Sequence, residues 1–138
     1  MNPENICISI ENAKKLKELG VKQESYFYHY NEPYDNDGDC WMITNIEDYE
    51  TAYSNKGEPY SAYTAEELSS FLPDNLCLED EHPNLFMAKG TRAANQWTIV
   101  YSTFERSVSK YFTESSMANA FAKLLIHLIE EGLLNNDI

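Results

Sequence analysis

The chain has 138 residues, 43% of them hydrophobic and 13% aromatic, with a formal net charge of −13. That length and apolar content suit one domain, residues 1–138, with its own core, and exclude a chain disordered throughout. The longest apolar run, residues 124–129, is interrupted by His127 and far too short to span a bilayer, so no membrane contact is expected.

Residues 9–19 read as a short helix. Ser9 is a plausible N-cap, Ala13, Leu16 and Leu19 form an apolar stripe, and Gly20 is placed to end it. Lys14, Lys15 and Lys17 fall in the last turns, facing solvent, where cations suit the helix dipole. Residues 25–30 are rich in β-formers, with Tyr26, Tyr28 and Tyr30 on one face and Phe27 and His29 on the other. A breaker-rich stretch, 31–39, leads to a second strand at 40–46, predicting a hairpin with a long loop. Residues 47–59 read as loop or a weak turn of helix.

Thr64-Ala-Glu-Glu67 is a capping box, followed by the apolar residues Leu68, Phe71 and Leu72 and the stop Pro73, so a helix is predicted at 64–72. Residues 75–78 and 85–89 are candidate strands. Residues 97–102 give the clearest strand pattern, with Trp97, Ile99 and Tyr101 on one face, and should pair with 85–89. Residues 103–112 are open between strand and loop. Met117, Phe121, Leu124, Leu125, Leu128 and Ile129 mark residues 116–131 as the main core helix, capped by Thr113 or Ser115 and ended by Gly132. The predicted fold class is α+β: an antiparallel sheet of about four strands, helices on one face, the C-terminal helix central.

The charge is concentrated. Residues 31–81 hold fourteen acids and one base, Lys56, which accounts for the whole net charge; the flanks balance at nine acids and nine bases. Direct nucleic-acid binding is therefore not expected, because phosphate contacts need clustered Lys or Arg. Eight of the ten tyrosines also lie within residues 26–63. Tyrosine fills sheet faces, but it also supplies large contact area at low entropy cost in recognition surfaces. Tyr26, Tyr28, Tyr30, Tyr34, Asp35, Asp37 and Asp39 are thus the candidate binding residues, for an unidentified protein partner.

Catalytic motifs are missing. The sequence has no nucleophile elbow, phosphate loop, dinucleotide glycine pattern or paired-histidine zinc motif, and no cofactor is read from it. Asp35-Asn-Asp37-Gly-Asp39 resembles a calcium loop only at its centre; alignment on Gly38 puts Pro33 at the first ligand and Thr44 at the last. No metal site is expected. Cys7, Cys40 and Cys77 are odd in number and widely spaced, which reads as reduced, mostly buried thiols. His127, four residues before Glu131, reads as a surface pair on the last helix. The N-terminus, Met-Asn-Pro-Glu-Asn, has neither a basic region nor an apolar run, so the expected location is cytoplasmic.

Leu16-Lys-Glu-Leu-Gly20, Tyr63-Thr-Ala-Glu-Glu-Leu-Ser-Ser-Phe-Leu-Pro73, Trp97-Thr-Ile-Val-Tyr101 and the block 119–134 resemble, in the same order, segments of small uncharacterised proteins of phages, prophages and mobile elements of Bacteroides-type gut bacteria. The resemblance implies an intracellular accessory protein and carries over no catalytic residues. The leading expectation is a non-enzymatic protein-binding module. One alternative is an acidic nucleic-acid mimic that blocks a host DNA-binding protein, since duplex DNA carries one charge per ~1.7 Å of axis and residues 31–81 match that sign. Another is a small hydrolase, which requires a pocket where His29 or His82 meets an acid or a cysteine.

Overall fold

The computed structural model describes residues 3–32, 40–50, 58–74, 76, 83–89, 96–103 and 112–135. A single 3-10 turn, Pro3–Asn5, precedes α1 (Ile10–Glu18). Then follow β1 (Phe27–Asn31), β2 (Trp41–Asn45), the one-turn α2 (Ile46–Asp48), β3 (Tyr60–Ser61), α3 (Ala65–Phe71), β4 (Asn84–Lys89), β5 (Trp97–Ser102), β6 (Phe112–Glu114) and α4 (Met117–Glu130).

The helix ends follow the sequence signals closely. The Ser9 side chain accepts from the Asn12 amide to start α1. Gly20 ends it at φ 88°, where the Val21 amide reaches the Leu16 carbonyl and the Gly20 amide that of Lys17. This is the Schellman closure, and its left-handed residue favours glycine. Gly132 closes α4 in the same way at φ 72°, with Leu133 bonding back to Leu128. At α3 both halves of the capping box form. The start of α4 differs from expectation: Ser116, not Thr113 or Ser115, accepts from the Asn119 amide. Thr113 lies inside β6, where its hydroxyl meets that of Thr98 at 3.0 Å.

The fold is α+β, but the described strands form two three-stranded antiparallel sheets, β2-β1-β3 and β4-β5-β6, rather than one sheet of about four. The expected hairpins β1–β2 and β4–β5 both form, the second in register from Asn84↔Ser102 to Lys89↔Trp97. Beyond the two-residue β3, the chain pairs with residues 7–8: the Ile8 amide bonds the Tyr63 carbonyl, and Cys7 bridges to Thr64. That pairing occupies the edge just beyond β3.

The core centres on α4. Ala118, Ala120, Phe121, Ala122, Leu124, Leu125 and Leu128 are all buried. At about 3.6 residues per turn they cover more than half of the helix circumference, so α4 needs neighbours on several sides. It packs against α1, α3, β5 and β6. Asn119 adds a polar tie, its Oδ1 accepting from the Ser9 amide and from Asn12 Nδ2, both at 2.8 Å. Ile99 and Tyr101 are fully buried as expected, whereas Trp97, at the start of β5, is half-buried. The Tyr101 hydroxyl donates to the Pro73 carbonyl at 2.5 Å, fastening β5 to the end of α3.

Leu125 is 0% exposed within this cluster. Leu125→Ala should therefore lower unfolding free energy by about 2–5 kcal/mol, as measured by urea denaturation. A loss under about 0.5 kcal/mol would place Leu125 outside the core.

Candidate functional site

Residues 21–26 connect α1 to β1 without regular structure, so their backbone groups need other partners. Several side chains supply them. Gln23 Oε1 accepts from the Ser61 amide at 2.8 Å, and its Nε2 donates to the Val21 carbonyl at 3.0 Å. The buried Tyr63 donates its hydroxyl to the Lys22 carbonyl and accepts from the Glu24 amide at 3.3 Å. Burial pushes the Tyr63 phenol above its ordinary pKa, keeping it a neutral donor.

Glu67 completes the arrangement. Its Oε1 accepts from the Ser25 hydroxyl at 3.0 Å, the Thr64 amide at 3.1 Å and the Thr64 hydroxyl at 3.2 Å. Its Oε2 accepts from the Tyr26 amide at 3.2 Å. The capping-box acid therefore also fixes the backbone where the chain turns into β1. This second role is not a helix signal, and nothing in the local sequence announces it.

The outcome is an outward-facing tyrosine. Tyr26 is 71% exposed, while Tyr28 and Tyr30 are buried at 9% and 7%. These three of the four candidate tyrosines do not share one accessible face. Tyr26 precedes the strand, and Tyr28, His29 and Tyr30 are buried in succession, so both faces of β1 are covered. Tyr28 stacks on Tyr49 at a centroid distance of 5.5 Å. Tyr34, Asp35, Asp37 and Asp39, with the calcium-like loop, lie outside the described residues, as do Cys77 and His82.

Tyr26 borders an open groove of about 510 Å³ between the start of β1, α2 and α3. Tyr28, Ile46 and Phe71 give it an apolar lining; Glu24, Glu67, Ser25, Ser70 and Lys22 contribute the polar part. Ile46 is 36% exposed, and it and Tyr26 are the large exposed hydrophobic residues among those described. Both border the same groove. Sequence reasoning found Tyr26 but missed Ile46 and Phe71. Ile46 follows a strand and reads as its last apolar residue; only the turn into α2 brings it to the surface.

A second cavity, about 250 Å³, is lined by Cys7 and His29 among others. Burial pushes the Cys7 thiol up to about 12, with nearby Glu67 adding to the effect, so the nucleophilic thiolate is suppressed. His29 Nε2 meets the Ile8 carbonyl at 2.9 Å, rather than an acid or a thiol. His127 does not pair with Glu131 through its ring; the imidazole packs edge-on to Phe112 at 5.6 Å, and its carbonyl accepts the Glu131 amide. Among the described residues no group of three or more His, Cys, Asp or Glu could hold a metal ion, and no helix is long and apolar enough to cross a membrane.

The lysines of α1 have a structural use. Lys14 Nζ lies 4.8 Å from the Trp41 ring centroid and Lys17 Nζ 4.9 Å from that of Tyr60, so the helix meets the first sheet partly through cation–π contacts. Lys17 also pairs with Glu58 at 3.1 Å.

No family model matches the chain, and no curated protein or solved structure shows significant similarity to it.

His29 is 4% exposed, and burial holds its pKa below the ordinary value; the Ile8 hydrogen bond and Glu11 oppose that shift without cancelling it. The unfolded chain therefore binds the proton more readily than the folded one. The stabilising contribution of the neutral ring is present above the unfolded pKa of about 6.5 and is lost as pH falls below it. Thermal unfolding between about pH 8 and pH 5 should show this loss, and His29→Gln should reduce its slope. An unchanged slope in the variant would remove His29 as its source.

Proposed function

We propose that this chain is a non-enzymatic module that binds a protein partner through the groove beside Tyr26. The observation that carries the reading is the placement of Tyr26 and Ile46, the exposed large hydrophobics among the described residues, on one groove whose backbone is fixed by Glu67, Tyr63 and Gln23. Exposed apolar surface beside a rigid, hydrogen-bonded frame suits recognition, because little further ordering is needed on binding. The resemblance to small proteins of phages and mobile elements supports an accessory role there, acting in the host cytoplasm.

The two alternative readings gain less. A hydrolase would need an activated nucleophile, whereas burial keeps the Cys7 thiol protonated and His29 Nε2 meets the Ile8 carbonyl rather than a thiol or an acid. A DNA mimic needs its carboxylates free along the surface. Within the acidic segment, Glu67 is engaged by four donors and Glu58 by Lys17.

A photo-crosslinking residue at position 26 should capture a discrete partner in cytoplasm of a host bacterium, and one at the exposed position 18 should not. Ile46→Asp, combined with the crosslinker at position 26, should remove the product without changing the circular dichroism spectrum. Equal products from positions 26 and 18, or none from 26, would end the groove reading.

A further inference from the structure

We infer that the groove receives a cationic side chain, Lys or Arg, carried on a partner segment with an apolar neighbour that covers Ile46. This deepens the binding-module reading and rests on it. The apolar part of the lining is largely aromatic: Tyr26, Tyr28 and Phe71. The negative face of an aromatic ring attracts a cation as well as apolar carbon, and a long basic side chain offers both an apolar stem and a charged end.

The charge around the rings has one prevailing sign. Glu24 and Glu67 line the groove, Glu47 and Asp48 follow Ile46, and Glu66 precedes Glu67. Among the described lining residues Lys22 is the one basic residue, and Glu24 already faces it at 3.4 Å. An incoming anion would meet these carboxylates; an incoming cation would be drawn by them and by the −13 charge of the whole chain.

Glu67 gives the groove its directional acceptor. Three donors converge on Oε1 but one, the Tyr26 amide, on Oε2, so Oε2 keeps capacity for a further charge-assisted hydrogen bond. The carboxylate is already held in place and needs no reorganisation to accept it. The same molecule uses this chemistry internally, where Lys14 and Lys17 sit over Trp41 and Tyr60. Lys17 there combines a ring with a carboxylate, that of Glu58, the pairing assigned to the incoming side chain.

The test uses two capped tripeptides of the same shape, acetyl-Leu-Arg-Leu-amide and its citrulline counterpart, which replaces guanidinium by neutral urea. Each is titrated into the full chain and followed by the NMR resonances of Tyr26, Ser70 and Phe71. The arginine peptide should shift these resonances and bind about 3- to 30-fold more tightly than the citrulline peptide. Its affinity should fall with added salt, and Tyr26→Ala, at an exposed position, should largely abolish the difference. Equal binding of both peptides at the groove would overturn the cationic occupant and leave the binding-module reading standing. Shifts spread over the acidic surface and unchanged in Tyr26→Ala would mean unspecific charge attraction and would also overturn it. If neither peptide perturbs the groove, the cationic occupant falls, and the crosslinking at position 26 separately decides the module.

Discussion

The Glu67 carboxylate is the polar joint of this molecule. One of its oxygens closes the first turn of α3 through Thr64, and the same oxygen accepts from Ser25. The other holds the Tyr26 amide at the start of the first sheet. Since α3 packs on α4, the carboxylate links the sheet β2-β1-β3 to the helical core. Hydrogen bonds to a charged group are individually worth about 1.5–3 kcal/mol, and a buried donor left without its partner costs a comparable amount. Ser25 is such a donor, at 7% exposure. Loss of Glu67 would thus leave unpaired groups on both sides of the joint.

Around this joint the apolar packing is conventional in its physics. α4 contributes small residues, Ala118, Ala120 and Ala122, beside Phe121, Leu124, Leu125 and Leu128. The alanines let neighbouring elements approach closely while the larger side chains fill the space between layers. The tyrosines serve two ends. Tyr63 and Tyr101 bury their rings completely yet reach backbone carbonyls with their hydroxyls, so each acts as an apolar filler with one fixed polar contact. Tyr26 has neither burial nor such a tie for its ring, and its backbone alone is anchored.

What could be read from the sequence was what is local in origin. Caps, Schellman glycines and the apolar stripe of α4 are written within a few residues of where they act, and Ser9, Gly20, Thr64 and Gly132 perform the roles assigned to them. The hairpins β1–β2 and β4–β5 were legible too, as neighbouring strands, but their division into two sheets was not, because alternation does not show which hairpins join. The pairing of residues 7–8 with 63–64 spans more than fifty positions and has no local mark. The site was half legible for the same reason. Tyrosine density drew attention to residues 26–30, but Tyr28 and Tyr30 are buried, and Ile46 and Phe71, distant in sequence, complete the groove.

One carboxylate serves the α3 cap and the approach to β1 together. A double-mutant cycle of Ser25→Ala and Glu67→Ala, read as unfolding free energies in urea, measures that sharing most directly. The two losses should fail to add by about 0.5–3 kcal/mol, since either substitution removes the same bond. Additivity to within about 0.3 kcal/mol would mean that Ser25 and Glu67 act independently, and the joint would not exist.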